Sequence, residues 1–192
     1  MTTTVSFHFT SPQFAIQSAA VKFMKGARLF SDGDFRIGRI TEGSIDGVLV
    51  EGPIEFDAML SELTVTRRND SRRYDVPFFP VSGAIRPQEI SACLVTVELD
   101  IPVLVVMRVE DAAGTTVPGA KVSFSIPSTS ATFEMPVNKL GELVVLGTPG
   151  SFSFHLLSVG DHWLASEEVR AELHVTPNDR GERHVILRVP SY

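Results

Sequence analysis

Val109-Glu-Asp-Ala-Ala-Gly-Thr-Thr-Val-Pro-Gly-Ala-Lys-Val122 is an apolar strand that runs into a polar glycine loop and turns at Pro118-Gly119 into a second alternating strand. Further on, Gly147-Thr-Pro-Gly-Ser-Phe-Ser-Phe154 repeats the device, with Pro149-Gly150 feeding another alternating run. Proline sets φ ahead of such a turn, and glycine takes the positive-φ position that side chains disfavour. Phe152 and Phe154 fall on one face of their strand, because side chains alternate across a strand, and are candidates for a core between sheets.

Working outward, the spacing is regular from Leu94 to the C-terminus. The pattern predicts strands over Pro102–Val109, Ala120–Ile126, Ala131–Met135, Glu142–Leu146, Ser151–Leu157, Val169–Val175 and Arg183–Val189, about seven in all. Short alternating runs separated by Gly, Pro, Asn and Asp are the signature of an antiparallel sandwich. Only Ser166–Ala171 suggests a turn of helix, since Ser166-Glu167-Glu168 resembles a cap.

The first half is less regular. Val5–Phe9 alternates as a strand. Ser11-Pro12 opens either a short helix through Phe14, Ile16 and Ala20 or a strand that includes Val21-Lys-Phe-Met24. Ala27–Phe30, Ser31-Asp-Gly-Asp34 and Phe35–Ile40 read as a hairpin, and Asp46-Gly47 reads as a turn before Val48–Val50. Pro53–Phe56 alternates as well. Leu63–Thr66 and Tyr74–Phe79 flank a turn at Asn69-Asp70-Ser71, and Pro77 and Pro80 place the latter strand at a sheet edge. Gly83–Ser91 reads as a loop or linker. The expected fold class is therefore all-β, in two antiparallel β-sandwich or barrel-like domains, residues 1–95 and 96–192.

Composition limits the function classes. The 192 residues carry a formal charge of −6, with 43% hydrophobic and 21% charged residues, ordinary for a globular chain with a sizeable core. The negative balance argues against a nucleic-acid partner. Met1-Thr-Thr-Thr4 carries no Sec-type signal, so cytoplasmic synthesis is the expectation, with a place in a larger or exported particle left open. The most apolar window, Cys93–Val109, contains Glu98, Asp100, Arg108 and Pro102, so no membrane insertion is expected. Cys93 is the one cysteine; its apolar neighbours Ala92 and Leu94 predict a small buried hydrophobe rather than a reactive thiol.

The order Val109, Asp111, Gly114, Val117-Pro-Gly-Ala120, Val122, then Gly141 before an apolar strand, Pro149-Gly150, Phe152 and Gly160 resembles the carboxypeptidase regulatory-like domain. That family is a transthyretin-like (prealbumin-like) β-sandwich, and the resemblance spans Leu104 to the C-terminus. It departs at Met107, where the family has glycine, and at Asp161, which displaces the aromatic after Gly160. The resemblance implies a non-catalytic folding, spacing or recognition unit. Two enzyme groups of similar fold fail on their residues. The ureide hydrolases end in Tyr-Arg-Gly-Ser, whereas this chain ends Val189-Pro-Ser-Tyr192; intradiol dioxygenases need two tyrosines at iron, and only the distant Tyr74 and Tyr192 exist.

No other chemistry is assembled by spacing. His8, His155, His162, His174 and His184 are scattered, although His155 and His174 are able to meet across neighbouring strands. There is no Gly-x-Ser-x-Gly elbow and no phosphate loop, and Asp32/Asp34 and Glu167/Glu168 fit turn chemistry and solvation. No metal and no cofactor are expected. The sharpest feature is basic: Arg67, Arg68, Arg72 and Arg73 crowd one turn, where guanidinium forks suit a partner's carboxylates. The alternative is a solvated tip paired with Asp70 and Asp75.

These residues predict a non-catalytic structural or recognition subunit that meets protein partners, as a homo-oligomer or hetero-assembly, through sheet edges and hairpin tips. The rival is a glycan- or peptide-binding β-sandwich module. It requires exposed aromatics, and Trp163, the single tryptophan, is expected to pack in the core.

Overall fold

The computed structural model describes residues 2–29, 37–101, 103–127, 132–164 and 169–190, and the chain divides into two compact units, Met1–Ile101 and Pro102–Tyr192. Both are built of strands, so the protein is an all-β, two-domain chain. Among the described residues no helix is long and apolar enough to cross a membrane.

The first unit holds β1 (Thr3–Thr10), β2 (Phe14–Lys25), β3 (Ala27–Leu29), β4 (Gly38–Thr41), β5 (Ser44–Val50), β6 (Glu55–Arg67), β7 (Arg73–Ala84), the helix α1 (Pro87–Ser91) and β8 (Leu94–Glu98). They form one sheet in the order β7-β6-β2-β4-β5-β1-β8, with β3 also pairing β5. The ambiguous segment after Ser11 is strand: Phe14, Ile16, Ala19 and Val21 are buried, and β2 runs antiparallel to β6. Gly26 ends β2 at a corner. Its φ is +77°, and a Cβ there would run into the Glu55 carbonyl, so the chain leaves β6 and continues as β3 beside β5. That corner curls the sheet. The aromatic core fits inside it, with the Phe7 ring centroid 5.0 Å from Phe23 and 5.2 Å from Phe56.

Several local expectations change. The turn of the Ala27–Ile40 hairpin lies outside the described residues, and its arms part company: β3 pairs β5, whereas β4 pairs β2 and β5. Asp46-Gly47 is not a turn but a β-bulge within β5, because Val5 faces Val48 while Phe7 faces Ile45, which leaves two residues opposite Ser6. The tight turn is instead Glu42-Gly43, with φ of 48° and 79°, the two positive values a two-residue hairpin of matching twist requires. Gly83–Ser91 is not a bare linker: β7 reaches Ala84, and Pro87 opens α1, whose Glu89 carboxylate accepts the Arg86 N–H at 2.8 Å. β7 is an edge strand and runs through both Pro77 and Pro80. Leu94–Glu98, which a boundary at 95 would cut, is one strand paired in parallel with β1.

The second unit holds β9 (Val103–Glu110), β10 (Lys121–Ser125), β11 (Thr132–Pro136), β12 (Glu142–Leu146), β13 (Gly150–Val159), β14 (His162–Trp163), β15 (Arg170–Val175) and β16 (Gly181–Arg188). Two sheets result, β11-β10-β13 with β14 and β15 both on β13, and β12-β9-β16. Phe124, Phe152 and Phe154 are fully buried and stacked, with centroids 6.2 and 6.3 Å apart. Neither unit is wholly antiparallel: β1 pairs β8, and β9 pairs β16, in parallel. Each such pair joins strands far apart in the chain, where the connection is long enough to return in the same direction. Part of Ser166–Ala171 lies outside the described residues, and Arg170 and Ala171 belong to β15.

Candidate interaction surfaces

The four arginines sit at the β6–β7 hairpin. Asp70 organises the tip: its Oδ1 accepts the Arg72 backbone N–H at 3.0 Å, and its Oδ2 lies 3.1 Å from Arg67 Nη1. The Arg67 and Arg72 guanidiniums stand 5.3 and 5.1 Å from the ring centroid of Tyr74, which is buried against Phe14. The negative face of the phenol ring attracts both cations, so these two side chains are built into the hairpin. Arg73 pairs with Asp75 at 3.4 Å, and Asp75 also accepts the Thr64 hydroxyl at 2.8 Å. Arg68 differs. It is exposed, its backbone N–H donates to the Gln13 carbonyl at 3.0 Å, and it borders a groove of about 320 Å³ with His8, Phe14, Gln17, Glu42 and Gly43. Tyr74 is the organising residue that charge counting alone overlooks.

The far end of the same sheet is an open edge. Ser6 N–H donates to the Cys93 carbonyl at 2.9 Å and Leu99 N–H to the Thr10 carbonyl at 2.7 Å. Given these two bonds, the alternation of a parallel ladder turns the N–H and C=O groups of Leu94, Thr96 and Glu98 outward. Their side chains are exposed too, Leu94 by 45%, and among the described residues no strand pairs with this side of β8. The opposite edge, β7, carries Pro77 and Pro80, which lack N–H donors and so blunt pairing.

Two single residues depart from expectation. Cys93 is exposed rather than buried: it occupies a positive-φ turn (54°) between α1 and β8 instead of a strand position. Trp163 is 69% exposed rather than packed in the core, because β14 is a two-residue strand at the rim of its sheet, and Lys121 Nζ lies 5.1 Å from its ring centroid.

His155 and His174 do not meet across their strands. His155 faces Arg170 and His174 faces Ser151, four positions along the β13–β15 ladder, roughly 13 Å of strand. His174 Nδ1 and the Ser151 hydroxyl are 3.2 Å apart, His8 Nδ1 and the Ser44 hydroxyl 2.8 Å. Among the described residues no three His, Cys, Asp or Glu side chains gather as a metal site. Asp32, Asp34, Glu167 and Glu168 lie outside those residues.

No family model matches the chain, and no curated protein matches it. Solved structures do resemble it loosely. The Bacillus anthracis TIE protein aligns at 10% identity and a TM-score of 0.36, over 97% of this chain and 34% of that one, so this chain spans about a third of its length. A streptococcal ancillary pilin aligns at 11% identity and 0.40, over 98% and 69% of the two chains. The shaft pilin SpaA of Lactobacillus rhamnosus GG, as its E269A mutant, aligns at 9% and 0.36, over 100% and 99%. At such scores no residue role carries across.

Proposed function

We propose that the chain is a non-catalytic structural or recognition subunit of a larger protein assembly, acting through an open sheet edge and a hairpin tip, with its second unit a transthyretin-like sandwich. The observation that carries this reading is the edge of β8, where three consecutive outward-facing backbone positions have no strand beside them among the described residues. Unpaired N–H and C=O groups in a row template the addition of another strand, and β8 lacks the prolines, lysines and bulges that usually discourage it. The basic tip adds a second contact: Arg68 is exposed for a partner's carboxylate while Arg67, Arg72 and Arg73 hold the hairpin's shape.

Light scattering across a concentration series, together with crosslinking in the native host, tests this. The reading expects a mass above the 21.0 kDa of one chain, or crosslinks through residues 94–98 or Arg68. A strict monomer without such crosslinks would refute it.

A further inference from the structure

The outer face of the five-stranded sheet in the second unit carries a row of small hydroxyl side chains. Ser123, Ser125, Thr132, Ser153, His155 and Leu157 line an open groove of about 330 Å³ on β10, β11 and β13. Cross-strand pairing keeps Ser123 beside His155 and Ser125 beside Ser153, whose hydroxyls are 2.7 Å apart. Each hydroxyl has one donor and two acceptor sites, so a mutual hydrogen bond leaves capacity for another partner.

Trp163 stands beyond the residues that line this groove, next to Lys121. Lys121 lies on the same face of β10 as Ser123 and Ser125; it pairs with Glu134 at 3.1 Å and its ammonium stands over the indole. From Ser125 to Lys121 the strip runs four residues, roughly 13 Å, with Trp163 at its end. Its charges balance: Lys121 and Glu134 at one side, Arg170 and Glu172 opposite His155 and Ser153 at the other.

From this juxtaposition we propose that the outer face of β10, β11 and β13 binds a neutral oligosaccharide, with Trp163 as its stacking platform. The ring face of an indole is negative, and the C–H hydrogens of a pyranose are slightly positive and present a flat apolar side. A row of hydroxyls, an imidazole and a carboxylate both donates to and accepts from sugar hydroxyls. Balanced charge selects against sulfated or uronic acid chains, which a basic strip would take. The main-chain groups of β10 and β13 are paired with strands on both sides, which disfavours an extended peptide laid across them. Lys121 covers one face of the indole by cation–π attraction and restrains it, so the sugar stacks on the opposite face of this 69% exposed residue. This surface belongs to the second unit and is independent of the β8 edge, so either reading can fail alone.

Trp163 is the single tryptophan, so its emission reports on the site directly. The test is titration of the whole chain with neutral gluco-, manno-, galacto- and N-acetylglucosamine oligosaccharides, with heparin oligosaccharides and an unrelated peptide as controls. The expected result is a saturable emission change with at least one neutral sugar. By calorimetry, Trp163→Ala should weaken that binding at least about tenfold, and His155→Ala should weaken it by a smaller factor, both with thermal melting unchanged. A flat response to every sugar overturns the proposal. So does affinity indifferent to Trp163→Ala, or preferential binding of heparin or peptide.

Discussion

Phe7 is fully enclosed, with Phe9, Phe23 and Phe56 around its ring at centroid distances of 6.1, 5.0 and 5.2 Å. Truncation leaves a cavity lined by three rings that neighbouring strands hold in place. Phe7→Ala should therefore cost about 3–5 kcal/mol in urea unfolding; a loss under about 1 kcal/mol would mean that the core collapses around the gap. Asp179 shows the other kind of residue-level effect. The Thr176 backbone N–H, donating to its carboxylate at 2.7 Å, holds the carboxyl below its ordinary value of 3.8, with Arg183 at 2.8 Å adding to the shift and burial opposing it. A depressed folded value contributes stability that is fully present above the unfolded value and is lost as pH falls through the folded one. The melting-temperature gap between wild type and Asp179→Asn should thus be open at pH 7 and close below about pH 4; a gap independent of pH would contradict this linkage. Trp163 and Cys93 carry the residue-scale lesson. Each has apolar character that reads as core, yet a rim strand exposes one and a positive-φ turn exposes the other.

At the scale of elements, β8 makes the sharpest claim. The Thr96 N–H points away from β1, so Thr96→Pro removes an outward donor without breaking the internal ladder. Self-association or partner crosslinking through this edge should fall to the monomer level while the melting temperature of the isolated chain barely moves. Unchanged association would place the contact elsewhere. Apart from the two-residue β14, which the alternation does not mark, the strands of the second unit were legible to within a residue or two, as with Glu142–Leu146 and Arg170–Val175, because period-two alternation and Gly, Pro and Asn punctuation are local signals. The first half was harder. Asp46-Gly47 carries the residues of a turn but serves as a bulge, while the less typical Glu42-Gly43 makes the turn, and only the pairing with β1 distinguishes them. The basic tip was legible as charge; its anchoring on Tyr74 was not, since that depends on which ring the fold buries beneath the hairpin.

For the whole molecule, the two units predict two foldable pieces. A fragment of residues 102–192, with Phe124, Phe152 and Phe154 in its own core, should show a β-type circular dichroism spectrum and a cooperative melt. Residues 1–101 should melt higher than residues 1–95, which lose most of β8 and with it the parallel partner of β1. Equal melting would show that β8 adds nothing to that sheet. By itself, the sequence determined the all-β class, the turns at Pro118-Gly119 and most strands of the second half, because backbone preference and alternation act between neighbours in the chain. Only the tertiary structure decided that β1 pairs β8 and β9 pairs β16 in parallel, that β3 deserts β4 for β5, and that one edge of β8 and the ring of Trp163 face outward. An alternating strand has the same pattern whichever strand lies beside it; the partner is chosen by contacts between residues far apart in sequence, and exposure follows from that choice.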